Sequence, residues 1–324
     1  MGRLEGKRTL RPPKKSYTFR LALLALLGVG LVLPGDLLQC QQGVGDTADA
    51  EHTASDSLGS YPDTTQINTT RMIIIGGALV GTMAGIMIYQ QNGWWKDNRR
   101  SFHFREDLQY GRSVDKLGHF YGANAATFIF SRSFQWAGMR ERPSLWYGAG
   151  CSLLFQTYIE VQDGFSAWGF DRVDFAADVL GAFYPVAQHY VPPLRELNMK
   201  FSYHPSNLIN EPGGVGFRGQ QHILFDDYEG QTIWFSLNVN SVLPSAIEPY
   251  WPDWLAVAAG YGVRDVATPN PYSILLLSLD YDMTKIIPAD TWFLKTLGEV
   301  LNFIHFPAPA VQISPHAIWY GFYF

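Results

Sequence analysis

Acids, a histidine and a lysine recur at helical spacing between Asp115 and Asp178. Asp115, Lys116 and His119 open one apolar run. Glu160 and Asp163 close the next, and Asp171, Asp174 and Asp178 open a third. Residues four apart lie on one helix face, so Asp115 pairs with His119 and Asp174 with Asp178. Imidazole and carboxylates brought together are the ligand types of a divalent cation, or an acid/base pair for hydrolysis. The hydrolytic assignment places the metal on His119, Asp174 and Asp178, with Glu160 as the general base that activates water.

The same residues also support a plainer expectation. Asp115 suits the first turn of a helix, where carboxylates are favoured. Asp171 and Asp174 have the spacing of an N-cap and the residue three beyond it. Lys116 neutralises an acid, and His119 bonds a neighbour on its own helix. Asp178 resists this treatment best, because it sits inside Phe175-Ala176-Ala177 and Val179-Leu180-Gly181 with no capping role. Glu160 is next, at the end of an apolar run that starts at Leu145. A structural polar network is the first expectation here, and a metal or catalytic centre the second.

Four helices must position these groups. Met72 to Tyr89 carries no charge and is just long enough to cross a bilayer. Gly77, Gly81 and Gly85 give it one small face for close helix contact. Trp94-Trp95-Lys96 then suits a membrane interface. Asn98 to Arg112 reads as a loop, Asp115 to Trp136 as a helix, and Gly138 to Pro143 as a turn. Ser144 is the expected cap of a helix that breaks after Glu160, and a last helix from Asp171 stops before Pro192-Pro193. Short links between four helices predict a bundle.

Beyond Lys200 the period becomes two. Ile233, Phe235, Leu237 and Val239 alternate with polar neighbours, and Leu255 to Val263 alternate with smaller residues. Leu275 to Met283 alternate with Ser278, Asp280, Asp282 and Thr284. These are antiparallel strands with one greasy and one polar face. Phe293 to Ile304 reads as one short helix, and the chain closes on Ile318, Tyr320, Phe322 and Phe324. That ending resembles the last strand of outer-membrane barrels. Only five or six strands are expected, however, and a bacterial barrel needs at least about eight. An open amphipathic sheet packed on the helices or on a membrane surface is the better expectation.

Composition narrows the classes. Charged residues are 16% and aromatic residues 15% of the 324, with a formal net charge of -5. A soluble domain carries about a quarter charged residues, so the deficit points to a membrane or a large buried surface. The basic residues cluster at the N-terminus, from Arg3 to Arg20, which gives no nucleic-acid footprint. There they precede the apolar run Leu21 to Leu33, the pattern of a secretory signal or membrane anchor. Leu37-Leu38-Gln39-Cys40 has the Leu and Cys of a lipobox, with Gln39 in place of a small residue. Cys40 and Cys151 form neither a disulfide framework nor a zinc motif, and Cys151 reads as a buried thiol.

The motifs Asp115-Lys116-Leu117-Gly118-His119, Ile159 to Ser166, and Gly169-Phe170-Asp171 through Asp174 and Asp178 resemble the YfiM-like family. Its members are predicted periplasmic lipoproteins that carry a domain of unknown function. Lys200 to Ser206, Asp227 to Thr232, Leu279 to Asp282 and Leu301 to Ile304 resemble its longer Bacteroidetes-type members. The helical part is also similar to VanZ-type membrane proteins, in its Asp-Lys-x-x-His opening and later acids. The resemblance implies an envelope location and no established activity.

The expected protein is therefore α+β, a membrane-associated four-helix bundle followed by an antiparallel β region. Residues 1–40 are a signal or anchor, 41–71 a flexible linker, 72–198 the bundle with its polar cluster, and 199–324 the β region with one short helix. The expected role is a structural or interaction component of the bacterial envelope on the exported side. A metal-dependent hydrolase of lipid or cell wall, and an outer-membrane β protein, are the alternatives. The expected partners are membrane lipids, with other envelope proteins as further candidates and no nucleic acid; the sequence names no cofactor, and a divalent metal is the candidate that the acids and His119 offer.

Overall fold

The computed structural model describes residues 67–92, 95, 99–210, 227–266 and 268–324, which belong to one compact unit. The expected signal, linker and Cys40 lie outside the described residues. Four long helices come first: α1 (Thr69–Asn92), α2 (Val114–Trp136), α3 (Glu141–Gly164) and α4 (Arg172–Tyr190). Six strands follow: β1 (Leu197–Tyr203), β2 (Gln231–Leu237), β3 (Leu255–Arg264), β4 (Tyr272–Tyr281), β5 (Ala308–Ser314) and β6 (Ile318–Tyr323). Two short helices, α5 (Met283–Ile286) and α6 (Trp292–Leu301), separate β4 from β5. The molecule is mixed helix and sheet, as expected.

Helices α2, α3 and α4 pack on one another through small and polar residues. On α3 the buried positions include Ser144, Gly148, Ser152, Gln156, Glu160 and Gly164, a strict four-residue series. Hydroxyls tie the backbones together: Ser152 Oγ donates to the Ala123 carbonyl at 2.8 Å, and Thr127 Oγ1 to the Ala182 carbonyl at 2.9 Å. Helix α1 instead leans on the end of α2, where Met72, Ile75 and Leu79 meet Phe130, Phe134 and Ala137. Its small face is unused among the described residues, since a Cβ at Gly77, Gly81 or Gly85 would meet nothing within 4 Å.

Several boundaries differ from expectation. Helix α3 starts at Glu141, so Ser144 sits within its first turn and donates to the Glu141 carbonyl at 2.6 Å. Pro143 falls in that first turn, where a missing N–H costs nothing. The helix also runs past Glu160 to Gly164, which puts Glu160 inside a helix rather than at its end. Strand β4 ends at Tyr281, because Asp282 caps α5 by accepting from the Thr284 N–H at 3.0 Å. Strand β2 stops at Leu237, where Asn238 caps a short 3-10 turn.

The sheet is an antiparallel meander in the order β1 to β6. Its register places Lys200, Trp234, Gly260, Leu276 and Gln312 in one cross-strand row. The next row, on the opposite face, holds Met199, Phe235, Ala259, Leu277, Val311 and Trp319. The sheet curls until Tyr323 of β6 meets the Trp234 ring of β2 at 5.8 Å. Inside the curl lie Trp234, Ala258, Ile274, Leu276 and Ala310, and with them a buried ion pair. Lys200 Nζ stands 2.7 Å from Asp280 Oδ2, which also accepts from Ser236 Oγ at 2.5 Å. The two-faced alternation was expected, but the buried face mixes apolar and polar side chains, and part of the aliphatic outer face is exposed.

His305 stacks on Trp234 at 3.9 Å inside this core. Burial pulls its pKa down to about 4, with Asp280 opposing and Lys200 assisting. The unfolded chain takes up this proton near 6.5. The stability that depends on neutral His305 is therefore complete above pH 6.5 and is lost as pH falls towards 4, a change of about 3 kcal/mol. Denaturation at pH 7 and pH 4.5 should show a larger loss in wild type than in His305→Gln. Equal losses would contradict this reading.

Candidate metal centre

Each of α2, α3 and α4 brings one part of the expected constellation to their common seam, and the structure divides it into two halves. The first half is organised by Lys116, which is buried on α2. Its Nζ lies 2.9 Å from Asp115 Oδ2, 2.8 Å from Asp171 Oδ2 and 3.0 Å from Asp174 Oδ1. Asp171 also caps α4, accepting from the Val173 N–H at 2.7 Å and the Asp174 N–H at 3.4 Å. It accepts the Asp107 N–H as well, at 3.0 Å. Burial works to raise Asp171, but Lys116 and these N–H donors hold it below the ordinary carboxylate range. Burial likewise works to lower Lys116, and its three acids more than reverse this. Asp115 has no such set of N–H donors, and burial leaves it raised. In this half one ammonium serves all three acids, with Asp115 Oδ1 and Asp174 Oδ1 accepting no hydrogen bond among the described residues.

The second half is different. His119 Nδ1 stands 3.1 Å from Asp178 Oδ1 and 3.6 Å from Glu160 Oε1, and Nε2 stands 3.9 Å from Asp174 Oδ2. Three carboxylates face one imidazole. Burial works to lower His119, but Asp178, Asp174 and Glu160 push it up to about 10. Burial pushes Glu160 up to about 8 against the pull of His119. Asp174 rises to about 6, by burial again, with His119 and Lys116 opposing. Burial and mutual repulsion of acids this close both favour their protonated forms.

Ligand atoms of His119, Glu160 and Asp178 lie within 4.8 Å of one another. Nitrogen and oxygen ligands at about 2.1 Å in tetrahedral array stand about 3.4 Å apart. The distances of 3.1 and 3.6 Å from His119 bracket that value. Asp178 is fully buried, and its Oδ2 has no hydrogen-bond partner among the described residues. A buried carboxylate oxygen left unpaired is costly, and a cation would satisfy it. Neighbours orient these ligands: Gln156 Nε2 donates to Asp178 Oδ1 at 2.8 Å, and the Asp171 N–H reaches Glu160 Oε2 at 3.4 Å. One imidazole with two carboxylates suits a divalent cation of the manganese, iron or zinc type.

The sequence-based assignment placed Asp174 among the ligands and Glu160 outside them. In the structure Asp174 is turned to Lys116, and Glu160 joins His119 and Asp178. Asp163 stands apart, accepting from Trp95 Nε1 at 2.6 Å; burial pushes it up to about 6 against that bond. Sequence reasoning missed Gln156 and the pairing of Trp95 with Asp163. The signal for Gln156 was present, as it belongs to the four-residue series that ends in Glu160. A cavity of about 410 Å³, lined by His204, Arg264 and Phe324 among others, lies elsewhere, at the edge of the sheet. No family model matches the chain, and neither the curated proteins nor the solved structures give a match.

Proposed function

We propose that this chain is a membrane-associated bacterial envelope protein whose helical part is a scaffold closed around a divalent cation. One observation carries the cation: ligand atoms of His119, Glu160 and Asp178 converge from three helices, and Asp178 is fully buried with a second oxygen that accepts no hydrogen bond among the described residues. Envelope membership rests on the basic and apolar N-terminal sequence and on the resemblance to YfiM-like proteins. Membrane association rests on α1, whose Thr69–Ile88 stretch has a mean hydropathy of 1.8 and is 6% buried. It rests also on Trp146, Tyr147, Leu154 and Leu180, which α3 and α4 turn outward. In this reading α1 joins α2, α3 and α4 as a four-helix, membrane-associated bundle. Lipids and neighbouring envelope proteins are its partners.

Metal-assisted hydrolysis of a lipid or cell-wall substrate is the second reading. It is favoured by His119, whose side chain is 26% exposed beside the buried Glu160 and Asp178. A cation there would supply Lewis-acid character. Elemental analysis of the detergent-purified full chain, beside His119→Ala and Asp178→Asn, tests the proposal. Near-stoichiometric metal in wild type, absent from two folded variants, is the expected result. Metal-free wild type whose variants merely melt lower would sink the cation and leave a packed polar network. Where metal is found, the hydrolytic reading also requires turnover of lipid or peptidoglycan by the metal-loaded protein.

A further inference from the structure

The sheet is unusually apolar on its outer face. Its curled interior holds Lys200, Asp280, Ser236, Thr232 and Gln312, all buried. Its other face carries no charged side chain on any strand. Along the row Met199, Phe235, Ala259, Leu277, Val311 and Trp319, Met199 next to the helices is buried, Val311 is half-buried and the other four are exposed. Met199 is 3% exposed, Phe235 36%, Leu277 46% and Trp319 69%. Beside this row stand Leu275, Leu279 and Ile313, also exposed. At the β1 end the face is covered by α2 and the α6–β5 loop: Tyr121 stacks on Phe201 at 5.5 Å and donates to the Phe303 carbonyl at 3.0 Å. On β4 Arg112 reaches the face at Ser273, and beyond it Leu275, Leu277, Ile313 and Trp319 stay exposed.

We infer that this open face, centred on Leu277 and Trp319, lies against the acyl layer of a lipid bilayer. An uncharged, aliphatic outer face around an interior that takes all the charged strand residues, beside its apolar cluster, is compatible with a lipid-facing sheet. Of the strands that carry it, β4 has 10 residues, long enough to cross the acyl layer, and β5 and β6, with 7 and 6, reach part of the way. At one end of the band Trp254 stacks on Tyr281 at 6.2 Å, aromatic side chains of the kind found at a membrane interface. A protein partner would call for a polar rim and hydrogen-bonding anchors, and this face offers aliphatic surface instead. The inference rests on the membrane association proposed above and adds a second contact to it, separate from α1.

Nitroxide labels test it. In full-length Cys40→Ser, Cys151→Ser protein, single cysteines are placed at Leu277, at Ile313 and, as a water-exposed control, at Asp290. The protein is mixed with vesicles of phosphatidylethanolamine and phosphatidylglycerol, and flotation is measured first. Labels at 277 and 313 should then meet oxygen several-fold more readily, relative to a water-soluble nickel complex, than the label at 290. Flotation with nickel-accessible labels at 277 and 313 would overturn the lipid face and leave the α1 anchor standing. Labels closed to both reagents and broadened by one another would show a second copy on the face, which also overturns it. Failure to float would overturn the face and the membrane association together.

Discussion

Replacing Lys116 with Met is expected to lower the unfolding free energy by about 3–5 kcal/mol, the cost of removing one member of a buried ionic network. The ammonium holds Asp115, Asp171 and Asp174 at 2.8 to 3.0 Å. Without it, buried carboxylates from two helices face one another with no counter-charge. Met fills nearly the same volume, so the loss is electrostatic rather than a cavity. The variant should recover part of its stability in acid, as these carboxylates take up protons. Lys285→Met, at an exposed lysine on α5, should stay within about 0.5 kcal/mol of wild type. Denaturant titration of both variants checks this. A loss below about 1 kcal/mol for Lys116→Met would show that the network is not what holds α2 to α4.

The second large effect is expected at Gly181. A Cβ there would stand 2.2 Å from the Phe120 carbonyl oxygen and 2.8 Å from its carbon, both backbone atoms. Nothing flexible can yield, so Gly181→Ala must push α4 away from α2. The shift would stretch the Thr127–Ala182 bond and displace Asp178, one turn earlier, from His119. Overpacking of this kind costs about 1–3 kcal/mol, and cation binding should be lost with it. Gly150 has open space where its Cβ would go, so Gly150→Ala should be neutral or stabilising by up to about 1 kcal/mol. Equal melting of the two variants would mean that the helices are not in backbone contact at Gly181.

The helices and the two-faced strands were legible because periodicity is local. Asp178 stood out because nothing nearby in sequence explained an acid between Ala177 and Val179. The division of the acids was not legible. Asp174 and Asp178 share a helix face, and only the packing of α2 decides that the first meets Lys116 and the second His119. Strand β5 escaped notice because Pro309 interrupts it and Ala308 and Ala310 carry little alternation. The burial of the sheet face that carries Lys200 and Asp280 was also hidden. Alternation defines two faces, while the choice of the inner one belongs to the curl that closes Tyr323 over Trp234. The series from Ser144 to Gly164 was in plain view, but its small and polar residues do not look like a core until two other helices are laid against them.

The most direct test of the account is a manganese titration of chelator-treated full-length protein, followed by electron paramagnetic resonance. Asp178→Asn, Glu160→Gln and Asp163→Asn are run beside wild type, with melting curves to confirm that each is folded. The account predicts one tightly held Mn²⁺ per wild-type chain. Binding should weaken at least about tenfold in Asp178→Asn and Glu160→Gln, as expected when a ligand is removed, and should persist in Asp163→Asn, whose carboxylate is turned to Trp95. No bound manganese in wild type, or equal binding by all four proteins, would contradict a cation at the seam of α2, α3 and α4.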